Sequence, residues 1–219
     1  MTTPHKCWQC GGVVEKSLFC PACNSLQAPP ADYYDLLGLE RRLRLSIDDL
    51  QKRFYGLSRQ LHPDRFMRKS ETERQYSLDA SSILNDAYRA LKDPVKRAQY
   101  LLSQEGFEIG EQRSKDVPPE LLEEVFELNM QLQEMRAANQ MGEDEPELRR
   151  DLMTAKDAFD AKMMETQAEL EGLWSAWDAG VDAEDEAEKG RAKEAMVELL
   201  NERSYLRNLV RDVNEALGL

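Results

Sequence analysis

The chain has four cysteines, Cys7, Cys10, Cys20 and Cys23, and they fall as two Cys-x-x-Cys pairs nine residues apart. Four thiolates in this pattern suit tetrahedral zinc: at a metal–sulfur distance of about 2.3 Å, each two-residue spacer folds as a tight turn that aims both sulfurs at one ion. Gly11-Gly12 after the first pair and Pro21 inside the second supply the turn chemistry. Iron is chemically open to the same soft ligands. Two disulfides would fit an exported chain, and Met1 to Lys6 has no signal-peptide character. A redox pair needs a strand–helix setting that thirty residues do not supply. Four thiolates leave no open coordination position, so the expected role is a structural zinc site.

The second group with chemical potential is His62-Pro63-Asp64. An imidazole and a carboxylate two residues apart could be an acid–base pair, but nothing near them supplies a nucleophile, a phosphate cradle or an oxyanion hole. Recognition is the better use, and hydrolysis the alternative. Pro63 disfavours helical geometry at His62 and has no N–H, so the three residues should sit on a loop that ends a helix.

The elements that would hold this loop are legible from periodicity. Ser46 to Leu61 repeats Ile47, Leu50, Phe54, Leu57 and Leu61 at steps of three and four, and Glu71 to Leu91 does so with Tyr76, Ile83, Leu84, Ala87, Tyr88 and Leu91. Two antiparallel helices joined by a polar loop are implied. A short apolar element, Tyr33 to Leu39, precedes them, and Asp93-Pro94 opens a fourth, Val95 to Gln104. This order resembles the J-domain of the Hsp40 co-chaperones. The resemblance implies that the segment docks on an Hsp70 and stimulates its ATPase, with His62, Pro63 and Asp64 as the required loop. Lys52, Arg53, Arg59, Arg65, Arg68 and Lys69 cluster on and after the first helix. In that setting a basic face would steer the segment onto an acidic Hsp70 surface; otherwise these are ordinary solvated residues.

The net charge of -13 is unevenly spread. Residues 1–30 carry +1, residues 31–105 carry +2, and residues 106–219 carry -16. Such an acidic C-terminal part would repel a phosphate backbone, and the cysteine segment has only Lys6 and Lys16 as cations, so nucleic acid is a poor partner. There is no run of eighteen apolar residues, which argues against a membrane span.

Leu26 to Ala31, with Pro29-Pro30, reads as a stiff connector, and Glu105 to Pro118 as a second linker. Pro118-Pro119 starts a helix, with Glu120, Glu123 and Glu124 near its positive end. Leu121, Val125, Leu128, Leu132 and Met135 form one apolar row; Leu122, Phe126 and Met130 form a second, to be buried by a broad core or left for a partner. Glu147 to Trp177 follows, with Leu148, Leu152, Ala155, Phe159, Met163, Leu170, Leu173, Trp174 and Trp177 as its inward set. Gly180 and the acidic stretch Asp182 to Glu188 should break it. Glu188 to Leu217 closes the chain on a seam of Met196, Leu199, Arg203, Leu206, Val210, Val213 and Leu217, with Tyr205 and Leu209 off it. Three helices with short connections read as an antiparallel bundle.

The expected fold class is therefore all-α: a zinc module at 1–30, a J-domain helical hairpin at 31–105 and a C-terminal three-helix bundle at 118–219. The chain has no Gly/Phe-rich stretch and no four-fold Cys-x-x-Cys-x-Gly-x-Gly repeats. A four-cysteine module, a J-like segment and an acidic bundle together resemble the HscB family of iron-sulfur cluster assembly co-chaperones, in the form with an N-terminal zinc domain. That resemblance implies a non-enzymatic adaptor whose bundle binds a scaffold protein of the IscU type. By motif position Leu122, Phe126 and Tyr205 match the family's apolar client contacts, and Glu123, Glu127 and Met130 neighbour them. Met130 stands where an acidic residue is common, and the segment from Glu143 to Trp177 is longer than usual. A J-protein for another client, or a thiol-redox enzyme, are the rival expectations. A homodimer through Trp8 and Phe19 is a further expectation. The absence of a presequence points to the bacterial cytoplasm, or to the mitochondrial matrix for a processed chain.

Overall fold

The computed structural model describes residues 4–15, 17–107 and 121–219. They group into two compact units, one ending at Leu101 and one beginning at Leu102. Among the described residues the architecture is all-α except in the cysteine segment, where β1 (His5–Lys6) pairs antiparallel with β2 (Val13–Val14) and Phe19 forms an isolated bridge with Leu26. Among the described residues, no helix is long and apolar enough to cross a membrane.

In the first unit α1 (Tyr33–Leu37), α2 (Ile47–Leu61), α3 (Glu71–Lys92) and the part up to Leu101 of α4 (Pro94–Gln104) follow the periodicity closely. Their starts are set by caps. The side chains of Asp32, Ser46 and Ser70 accept from the N–H groups of Asp35, Asp49 and Glu73, satisfying donors that a first turn leaves free. Gly38, at φ 63°, stops α1 in the left-handed conformation that costs glycine least. Leu61 meets Ser77 and Ser81, while Phe54, two turns earlier, stacks on Tyr88 at 4.3 Å, so α2 and α3 run antiparallel. Leu36, Leu37, Leu50, Leu61, Leu84, Ala87 and Leu91 fill the space between the helices. Full burial of each large side chain is worth about 1.5–3 kcal/mol. Tyr100 of α4 stacks on Tyr33 at 4.1 Å, and its hydroxyl accepts from the Tyr33 N–H.

The second unit is a bundle of α5 (Leu122–Met141), α6 (Pro146–Asp182) and α7 (Glu186–Leu217). The expected start at Pro118-Pro119 and Glu120, and most of the expected linker, lie outside the described residues. The row Leu121, Val125, Leu128, Leu132 and Met135 faces the core, as its spacing predicts. Two expectations fail here. Gly180 does not break α6; it is a buried helical residue, and the chain turns at Ala183–Asp185, inside the acidic stretch Asp182 to Glu188 where a break is expected, with Glu184 at φ 54°. The seam of α7 is also wider than a single row. Leu200, Tyr205 and Leu209 are buried, because α7 packs against both α5 and α6 and must cover two adjacent stripes.

Candidate functional site

The two cysteine turns are built alike. Gly11 N–H donates to the Cys7 carbonyl and Cys7 N–H to that of Gly12; Asn24 N–H donates to the Cys20 carbonyl and Cys20 N–H to that of Ser25. Each turn needs a left-handed residue one position after its second cysteine, supplied by Gly11 at φ 72° and Asn24 at φ 57°. Paired in this way, the four sulfurs lie within 4.8 Å of one another. Cys7 and Cys23 are 3.7 Å apart, and Cys10 and Cys20 3.6 Å. A tetrahedral ion with metal–sulfur bonds of about 2.3 Å requires edges of about 3.8 Å, so the donor set fits such an ion closely. These spacings are too long for disulfides, and all four cysteines are free.

Two buried side chains that the sequence reading overlooked serve this cluster. Ser25 Oγ lies 3.3 Å from Cys7 Sγ and 3.1 Å from Cys23 Sγ. Gln27 Nε2 donates to Ser25 Oγ at 2.9 Å and to Cys7 Sγ at 3.5 Å. Burial pushes the Cys7 thiol up, but hydrogen bonds from Ser25 and from the backbone of Cys10 and Gln9 outweigh it and hold it at about 5. Ser25 likewise lowers Cys23. A backbone hydrogen bond from Gly12 favours the Cys10 thiolate, yet the sulfurs of Cys23 and Cys20 keep its proton on, up to about 12. Metal binding requires thiolates, and the Ser25–Gln27 pair supplies the donors that favour them.

The His62-Pro63-Asp64 stretch is more ordered than a plain loop. His62 ends α2, and Pro63–Phe66 form a 3-10 turn that His62 itself caps, its Nδ1 accepting from the Asp64 N–H at 3.3 Å. Phe66 is buried in the helical core and anchors the far side of the turn. The Leu61 carbonyl, whose donor in a continued helix would be the Arg65 N–H that here bonds to the His62 carbonyl, accepts from Ser77 Oγ at 2.6 Å and Ser81 Oγ at 3.3 Å. The His62 and Asp64 side chains are 55% and 79% exposed, so the turn is held from behind and open in front.

Of the expected basic face, Lys52, Arg59 and Arg65 are exposed, as are Arg68 and Lys69. Arg53 is partly committed elsewhere. It donates to Asp49 Oδ2 and to the Gly38 carbonyl, both at 2.8 Å, and so ties α2 to the end of α1. Trp8 lies edge-on to Tyr76, and Phe19 packs against the helical core, so both side chains named for self-association have contacts inside the first unit.

On the bundle, the second row of α5 is left uncovered. Leu122 is 53%, Phe126 68% and Met130 59% exposed, and Glu123 and Glu127 stand exposed beside them. Tyr205 does not join this face. It is 9% exposed within the bundle core, and burial raises its phenol.

Comparison with known proteins adds the following. Residues 32–100 match the DnaJ domain family. The chain is 38% identical over 146 residues to the Homo sapiens iron-sulfur cluster co-chaperone protein HscB, covering 64% of this chain and 62% of that protein. It is 36% identical over 150 residues to the Mus musculus protein of the same name, covering 66% and 64%. The chain thus spans a little under two thirds of the length of these relatives. The crystal structure of human co-chaperone HscB superposes with a TM-score of 0.67 at 28% identity, over 98% of this chain and 100% of that one. Chaperone HscB from Vibrio cholerae superposes with a TM-score of 0.56 at 25% identity, over 84% and 96%.

Proposed function

We propose that this chain, which is 36–38% identical to HscB co-chaperones over the matched stretch and matches the DnaJ domain family over residues 32–100, binds an iron-sulfur scaffold protein of the IscU type and delivers it to an Hsp70. Residues 31–105 are the J-domain in this reading and residues 118–219 the client-binding bundle. The Hsp70 hydrolyses the ATP. His62, Pro63 and Asp64 act as recognition groups that stimulate it, assisted by Lys52, Arg59 and Arg65.

The observation that carries the proposal is the capped turn after α2, which presents an imidazole and a carboxylate in a fixed arrangement with their outer faces free. A surface that is ordered before binding loses less entropy on docking. For the client, the exposed row Leu122, Phe126 and Met130 with Glu123 and Glu127 offers an apolar strip bordered by acid, which suits a partner with an apolar patch and a basic rim. The four cysteines hold zinc, which ties the two turns together; a segment of thirty residues is too short to build a core unaided.

The expected result for His62→Gln is loss of at least tenfold in stimulation of the Hsp70 ATPase, with calorimetric affinity for the scaffold unchanged. Stimulation at the wild-type level would remove the turn from the mechanism.

A further inference from the structure

The three residues Ser25-Leu26-Gln27 face two ways. In an extended segment, successive side chains point to opposite sides. Ser25 and Gln27, 2% and 1% exposed, turn toward the sulfurs of Cys7 and Cys23. Leu26 lies between them, is wholly buried, and belongs to the helical core of the first unit.

The backbone of Leu26 is engaged as well. Its carbonyl accepts from Trp8 Nε1 at 2.8 Å, and its N–H donates to Glu73 Oε1 at 3.3 Å. Glu73 is 6% exposed and sits in the first turn of α3. Its N–H donates to Ser70 Oγ, which in turn donates to Glu73 Oε2, each at 3.2 Å. In an ordinary capping box the third-position acid reaches back to the backbone of the capping residue. Here one carboxylate oxygen is directed to Leu26 instead. A buried carboxylate needs such donors, since losing one leaves a charge poorly solvated.

Only Met67 to Lys69 separate Ser70 from the buried Phe66 that anchors the His62-Pro63-Asp64 turn, and Lys69 N–H donates to the Phe66 carbonyl. A continuous set of contacts therefore runs from the sulfurs through Ser25, Leu26 and Glu73 to the start of α3 and the turn before it. We propose that Glu73 and the Ser25–Gln27 segment are positioning residues: with the four sulfurs drawn together on a metal ion, they brace the start of α3 and hold the Phe66–Ser70 connection, and loss of the ion loosens that connection. The inference deepens the proposed role of the turn, but its test involves no Hsp70, so either can fail without the other.

Linkage is reciprocal: if the metal centre steadies the Glu73 contact, the Glu73 contact must raise affinity for the metal. The test uses the full chain loaded with zinc, competition against a chromogenic chelator, and amide hydrogen exchange read by mass spectrometry. Stripping zinc is expected to speed exchange at residues 66–74 by tenfold or more while leaving residues 84–91 unchanged. Glu73→Ala is expected to weaken zinc retention about tenfold although Glu73 touches no sulfur, and Glu73→Gln, which keeps an acceptor for the Leu26 N–H, to restore most of it. Ala80→Gly, deeper in α3 and remote from the contact, serves as a control for general loss of helix stability. Exchange at 66–74 that is the same with and without zinc would overturn the proposal. So would equal loss of zinc from the Glu73→Ala and Ala80→Gly proteins.

Discussion

His62 has two ring nitrogens, and the fold has already used one of them. Nδ1 accepts from the Asp64 N–H, so the hydrogen of the neutral ring is assigned to Nε2, and the imidazole is fixed by the same turn it helps to form. Behind it, Ser77 and Ser81 carry the Leu61 carbonyl, and they differ in a way that can be measured. Ser77 is wholly buried and its bond is 2.6 Å; Ser81 is half-buried with a bond of 3.3 Å. Ser77→Ala is expected to destabilise the first unit by about 1–3 kcal/mol, because a buried acceptor loses its better donor. Ser81→Ala should cost less. Urea unfolding followed through the first unit checks the order, and equal costs would mean that the carbonyl does not depend on α3. The cysteine pairs and the His-Pro-Asp run were legible in the sequence because their chemistry is set by residues only a few positions apart. Ser77 was not legible, since its partner lies sixteen residues away and a serine on a helix has no pattern that announces it. The same holds for Arg53, whose link to the Gly38 carbonyl gives part of an expected binding face a structural task.

Elements are legible where apolar periodicity or a proline marks them, and the stop expected at Gly180 is the exception. Apolar periodicity places the starts of α2 and α3, and Asp93-Pro94 that of α4, to within a residue or two, and in the structure Ser46, Ser70 and Asp93 cap those starts. Gly180 has another purpose. A Cβ there would lie 2.9 Å from Lys189 Cγ and 3.4 Å from the Asp185 carbonyl oxygen, so glycine lets α7 begin close against the last turn of α6. Gly172, two turns earlier in the same helix, has nothing within 4 Å of the corresponding position. The two glycines should therefore respond to alanine with opposite signs. Gly172→Ala is expected to stabilise the bundle by about 0.5–1 kcal/mol through helix propensity. Gly180→Ala is expected to destabilise it by about 1–3 kcal/mol through overpacking at the α6–α7 corner. Thermal unfolding of the two variants decides this, and stabilisation by both would show that the corner has room. Tyr205 was misplaced for a related reason. A three- and four-residue seam describes a helix with one neighbour, and α7 has two.

For the whole molecule, charge is divided unevenly along the chain, and the acidic part also carries an exposed apolar row, so two kinds of binding contribution can be separated. The acid is concentrated in residues 106–219, at -16, whereas residues 31–105 carry +2. A field of that size acts over roughly a Debye length, about 10 Å at 0.1 M salt, and so influences approach more than the final contact. The exposed row Leu122, Phe126 and Met130 acts only on contact, through area removed from water. If the bundle takes a basic-rimmed scaffold on this face, the two contributions should separate kinetically. Raising salt from about 0.05 M to about 0.5 M is expected to slow association by tenfold or more and to change dissociation by less than about threefold, since screening acts on encounter. Phe126→Ala should do the reverse, speeding dissociation about tenfold with little effect on association, because tuning at the contact appears mainly in the off-rate. The side chain is 68% exposed, so the helix content and unfolding of the bundle should be unaffected. Surface-immobilised scaffold and stopped-flow mixing give both rates. Association that ignores salt would reduce the acid to a solvating face, and dissociation that ignores Phe126 would move the client off α5.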